Sequence, residues 1–119
     1  MAIKGLKFKN PPIVELVCTI QFDFETLNFA IANEFYNLVK ESFPIVEEKI
    51  PIANLLNNKE QALVRYWFNS PKRDKLLQLQ KGKFCFNWRK LDDENNIYPH
   101  FENVFEEFSS YWEKLNDIF

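Results

Sequence analysis

Residues 75–90, KLLQLQKGKFCFNWRK, alternate so strictly that one local structure suits them, a β-hairpin. In the first half Leu77 and Leu79 fall on one face, and Leu76, Gln78 and Gln80 on the other. In the second half Phe84, Phe86 and Trp88 alternate with Lys83, Cys85, Asn87 and Arg89. Successive side chains of a strand point to opposite sides, so each half has an apolar face to bury and a polar face to show. Gly82 stands between the halves, where a tight turn needs a residue that tolerates φ > 0.

The rest of the chain supplies partners for that hairpin. Residues 13–24, IVELVCTIQFDF, place Val14, Leu16, Cys18, Ile20, Phe22 and Phe24 on one face and Glu15, Val17, Thr19, Gln21 and Asp23 on the other. This is a long strand with one fully buried face, the pattern of an antiparallel sheet covered on one side. Pro11 and Pro12 mark its start, since proline is confined to strand edges. Residues 45–50 predict an edge strand because Glu47, Glu48 and Lys49 would guard an open edge. Residues 51–60 fit a helical turn or an irregular strand equally well. In residues 61–70, Ala62, Val64, Tyr66 and Phe68 alternate with Leu63, Arg65, Trp67 and Asn69. Both faces are partly apolar, so this strand does not set its own phase.

Two segments change to a helical period. Thr26 or Asn28 can cap a helix reaching about residue 42, with Ile31, Phe35, Leu38 and Val39 as its stripe and Pro44 as its stop. Pro99 sits near the first position of a second helix. There Phe101, Phe105, Phe108, Trp112, Leu115 and Phe119 recur at steps of three and four along about 30 Å. The stripe suits packing on the sheet; its four-three spacing also suits a coiled-coil dimer seam. The order is therefore β-α-β-β-β-β-α over residues 1–119. It implies one α+β domain, with a curved antiparallel sheet of four or five strands and two helices on one face. In topology it resembles one half of the TATA-box-binding-protein-like fold.

Composition narrows the function more than it names it. Fifteen Lys and Arg stand against 17 Asp and Glu, a net charge of −2 and a pI near 5.5. That argues against a general phosphate binder, whose affinity comes from excess cations. Cys18 and Cys85 are the only cysteines. Residues 1–12 lack the apolar centre of an export signal, so a cytoplasmic chain with reduced thiols is expected. No apolar run approaches the roughly 18 residues of a membrane span. His100 is the only histidine, and it reads as an exposed residue at a helix start. A Cys85–His100 nucleophile–base pair is the catalytic alternative. Asp92, Asp93 and Glu94 read as a solvated acidic loop rather than a cation site. Two glycines in the whole chain leave no phosphate loop. No catalytic residue, metal site or cofactor is expected.

The polar sheet face is the better candidate. If Phe84, Phe86 and Trp88 meet the helices, Asn87 and Arg89 point away with Lys83 and Cys85. Gln78 and Gln80 then share that face, joined by Arg65 and Trp67 if Tyr66 and Phe68 are buried. Glu15, Thr19 and Gln21 arrive from the first strand. Long amides and arginines beside a tryptophan suit hydrogen bonding to something planar or peptide-like. The candidate binding residues are Arg65, Trp67, Gln78, Gln80, Asn87 and Arg89.

Three motifs also carry a family resemblance. Pro11, Pro12, Val14 and Glu15 form the first, Gln78, Gln80, Phe84, Asn87, Trp88 and Arg89 the second, and Tyr98, Pro99, Phe101, Phe105 and Trp112 the third. At these positions the chain resembles the N-terminal half of a sporadically distributed bacterial family of uncharacterised proteins, whose members run to about twice this length. The resemblance implies no activity. The shorter length implies dimerisation in place of a second half, and the patchy distribution implies a defence or toxin-linked setting. The expected function is a non-enzymatic binding module, a regulatory or accessory subunit, that meets a protein partner or a second copy of itself. The alternative is nucleic-acid or nucleotide binding on the open sheet face, with Arg65, Trp67 and Arg89 on phosphate and base.

Overall fold

The computed structural model of the protein describes residues 15–23, 27–49, 64–91, 96 and 99–119. The proline-led strand start, residues 51–60 and the acidic cluster at 92–94 lie outside them. The elements are β1 (Glu15–Gln21), α1 (Phe29–Val39), β2 (Ile45–Lys49), β3 (Arg65–Asn69), β4 (Lys75–Gln80), β5 (Lys83–Arg89) and α2 (Phe101–Asn116). The five strands form one antiparallel sheet in the order β1-β5-β4-β3-β2, an α+β fold.

The hairpin is centred where the alternation placed it. Gln80 pairs with Lys83 across Lys81 and Gly82, and Gly82 has φ 76°. Its carbonyl accepts from Phe22 N at 3.0 Å, so the turn also seats the chain just past β1. From there the register runs Ile20–Phe84–Leu79–Tyr66 and Cys18–Phe86–Leu77–Phe68. This settles the phase of β3: Tyr66 and Phe68 face inward, because Leu79 and Leu77 do.

Both helices cover this inner face. Phe35 of α1 meets Phe68 and Phe84 edge-on, at 5.4 and 5.6 Å between ring centroids. Phe108 of α2 stacks on Phe84 from the other side at 5.7 Å. Phe84 is thus the residue through which both helices hold the sheet. Edge-to-face and offset rings add to the area they bury.

Several boundaries differ from expectation. β1 spans seven residues. Asn28, not Thr26, caps α1: its Oδ1 accepts from Ile31 N at 3.0 Å. The helix ends at Val39, and the next three residues form a turn before Pro44. Ala32, Phe35 and Val39 are its buried residues, whereas Leu38 is 50% exposed. An i, i+3, i+7 row centred on Phe35 meets the sheet, and Leu38 lies off it. The second helix begins at Phe101 with His100 as N-cap, so Pro99 precedes the helix. Its buried residues are Val104, Phe108 and Leu115, while Phe101 and Phe105 are 54% and 52% exposed. The sheet sees the helix face centred between Val104 and Phe108, rotated from the aromatic stripe.

Replacing Phe84 by Ala is expected to cost about 3–5 kcal/mol, because the cavity opens between both helices. Gly82→Ala is expected to cost about 1–2 kcal/mol. There a Cβ at positive φ would also stand 3.3 Å from Phe22 O. Urea unfolding followed by circular dichroism measures both.

Candidate binding face of the sheet

The strand registers place all six predicted binding residues on the sheet face opposite the helices. β3 supplies Arg65 and Trp67, β4 supplies Gln78 and Gln80, and β5 supplies Asn87 and Arg89. They do not form one uniform surface. Towards the β4–β5 turn, Gln80 pairs with Lys83 and Lys83 with Gln21. On the other side Lys49 pairs with Arg65, which the same register carries on to Gln80. The row Lys49–Arg65–Gln80–Lys83–Gln21 thus crosses five strands, roughly 19 Å at the usual strand spacing. It contains three cations, two amides and no carboxylate.

The centre of the face is closed on itself. Gln78 Nε2 donates to Asn87 Oδ1 at 2.9 Å, and Asn87 Nδ2 donates to Glu15 Oε2 at 2.9 Å. Asn87 is only 7% exposed, and Leu76, Cys85 and Asn69 beside it are also buried. Thr19 Oγ1 donates to Cys85 Sγ at 3.4 Å. Asn87 and Gln78 therefore serve a hydrogen-bonded ladder across β4, β5 and β1, because a buried amide left unpaired costs more than its bonds return. Arg89, Arg65 and Lys83 make no side-chain hydrogen bond or ion pair among the described residues.

Trp67 lies between the row and the ladder. Lys49 Nζ stands 4.8 Å from the centre of its ring, and the buried Nε1 has no hydrogen-bond partner among the described residues. Lys49 also bonds Glu47 at 3.1 Å, and Arg73 reaches the same carboxylate at 3.0 Å. Hydrogen bonds from Lys49 and then Arg73 hold the Glu47 carboxyl below the usual carboxylate range.

The sequence reading missed one cluster, on the inner face. Lys75 shares the parity of Leu77 and Leu79, so it points under α2, where its Nζ meets both oxygens of Glu107 at 3.2 Å. Tyr111 Oη donates to Glu107 Oε2 at 2.6 Å. Burial first, then this hydrogen bond and the carboxylate charge, push the Tyr111 hydroxyl far above the ordinary tyrosine range. Strand parity and the i, i+4 spacing of Glu107 and Tyr111 are the signals that could have found it. Lys75 and Glu107 border a cavity of about 290 Å³ shared with Asp74, Trp88 and Asn103. The trio's groups are committed to one another: the ammonium to the carboxylate, the phenol as a neutral donor to the same carboxylate. It ties α2 to β4.

Cys18 faces inward and Cys85 outward, so one sheet separates the two free thiols. The same sheet separates Cys85 from α2, which His100 caps on the helix side. Among the described residues no group of three or more His, Cys, Asp and Glu is placed to hold a metal ion, and no helix is long and apolar enough to cross a membrane. No protein-family model, curated protein or solved structure matches the chain.

Two outcomes check this division of roles. Asn87→Ala is expected to cost about 1–3 kcal/mol, since it orphans Gln78 and Glu15; Arg89→Ala should stay within about 0.5 kcal/mol in the same unfolding assay. For Tyr111, the folded-state titration lies above the unfolded value of about 10. Its contribution is therefore complete below about pH 10 and is lost as the pH climbs from there towards the folded value. Urea midpoints measured from pH 8 to 11 should fall above about pH 10, and Tyr111→Phe should fall less.

Proposed function

We propose that the protein is a non-enzymatic binding module, an accessory or regulatory subunit, that docks an acidic segment of a protein partner on the sheet face opposite its two described helices. The observation that carries this is the row Lys49–Arg65–Gln80–Lys83–Gln21. Three cations and two amides in line suit a chain that presents carboxylates and backbone carbonyls to them. Arg65 and Lys83 carry most of the recognition, because Lys49 already shares Glu47 with Arg73. Arg89 adds a further exposed cation at the far end of β5.

Single-stranded nucleic acid is the competing occupant, favoured by Trp67 beside Arg65. It is the weaker reading because stacking needs a free aromatic face. Lys49 already stands over the Trp67 ring. The net charge of −2 also works against a long polyanion.

The test is fluorescence anisotropy at low salt with two labelled probes of equal charge, a Glu- and Asp-rich peptide and a single-stranded oligonucleotide. The peptide is expected to bind more tightly. Arg65→Ala and Lys83→Ala should each weaken it at least about fivefold, and Asn103→Ala on α2 should leave it unchanged. Preference for the oligonucleotide would replace this reading with the nucleic-acid one. No binding of either probe would remove the face as a recognition site.

A further inference from the structure

The two edges of the sheet differ in how they meet solvent. β2 ends one side with Glu47, Glu48 and Lys49, charges that guard an open edge. β1 ends the other side with Leu16, Val17, Cys18, Thr19 and Ile20, and among the described residues no strand pairs with its outer edge. Seven residues, six of them consecutive and uncharged, make an unguarded template for another strand.

The register says which peptide groups are free. Phe22 N donates to Gly82 O, so Phe22 turns its peptide groups towards β5. Antiparallel ladders alternate strictly. Leu16, Cys18 and Ile20 are therefore bonded to β5, and Glu15, Val17, Thr19 and Gln21 hold their N–H and C=O groups out along the free edge.

A second surface borders the same edge. The second helix packs on β1 and β5. Its Tyr111 flank turns inward, against Phe43 and Phe86. At about 100° per residue, Phe101, Phe105 and Trp112 lie on the opposite flank. Trp112 meets Phe22, just past the end of β1. Phe101 and Phe105 stack on each other at 6.0 Å, and both are more than half exposed. Val17, at 51% exposure, lies at the same edge on the opposite sheet face. Three of the six large exposed apolar residues among the described residues thus gather around β1.

We propose that β1 pairs antiparallel with β1 of a second copy of this chain, about a two-fold axis through Cys18, joining two sheets into one of ten strands. Centring on Cys18 is the register that uses the whole strand. It sets Leu16 opposite Ile20, Val17 opposite Thr19, Glu15 opposite Gln21, and Cys18 opposite itself. Apolar inner residues meet apolar inner residues, two β-branched residues meet on the outer face, and the only carboxylate meets a neutral amide. Glu15 accepts from Asn87 through Oε2, which leaves Oε1 for that amide. The free edge supplies roughly eight backbone hydrogen bonds. The two copies of α2 stand on the same face, roughly 10–15 Å apart at the usual strand spacing. Phe101 and Phe105 point into that gap, where aromatic contacts form. This pairing does not depend on the acidic-segment reading.

Light scattering after size exclusion at about 100 μM should give twice the 14.3 kDa chain mass. Val17→Lys puts a charge on an exposed strand position. It should keep the circular dichroism spectrum and raise the dimer dissociation constant at least tenfold. Phe105→Glu should do the same from the helix side. The register is read in Cys85→Ser, where mild oxidation should link two chains through Cys18, because opposed residues in a non-hydrogen-bonded pair lie about 4.5 Å apart at Cα. A monomer at 100 μM overturns the proposal, as does a dimer indifferent to both Val17→Lys and Phe105→Glu. A dimer that forms no Cys18 link overturns the register. Peptide anisotropy on the Phe105→Glu monomer, whose change lies on the helix side of the sheet, separates this outcome from the fate of the binding face.

Discussion

The turn at Gly82 governs the sheet. Its positive φ lets Gln80 and Lys83 pair across two residues, which sets every later pairing of β4 with β5. Its carbonyl holds Phe22, which sets the pairing of β5 with β1. A slip of one residue at this turn would send Phe84, Phe86 and Trp88 to the opposite face and expose the core. Three strands therefore take their register from one backbone conformation, and β3 takes its own from β4.

That register determines what each face can do. Inside, Phe84 lies between Phe35 and Phe108, so both helices close on one ring. Lys75 falls on the same side by parity, and there Glu107 of α2, itself held by Tyr111, pairs with it. Outside, the same parity sorts polar residues by their place along the strands. Those in the middle bond one another; among the described residues, those towards the β4–β5 turn and at the far end of β5 do not. A cationic row and a structural ladder thus share one face.

The alternation of residues 75–90 and of β1 carried the hairpin, the face assignments and the α+β class. It carried them because burial on one side imposes a period of two, which survives in the residue order. It did not carry the phase of β3, whose two faces are both partly apolar; only the cross-strand neighbours Leu77 and Leu79 settle that. The aromatic stripe of α2 misled for a related reason. Phe101 and Phe105 continue the spacing of Phe108 and Leu115, yet they are more than half exposed while Val104, off the stripe, is buried, and nothing in a single helix says how far round its partner reaches. Among the six candidate residues, placement on one face followed from parity. The division of Asn87 and Gln78 from Arg65 and Arg89 did not, because it depends on Glu15 of the adjacent strand β1, which reaches Asn87 across 72 residues of chain.

The sequence by itself determined which residues alternate, where the turn falls and which side chains share a strand face, because these depend on neighbours one to four residues apart. Only the tertiary structure decided which amides are consumed by the fold and, among the described residues, which cations stay unpaired and which strand edge lies open. Those properties belong to contacts between distant segments, whose hydrogen bonds and burial no local period encodes.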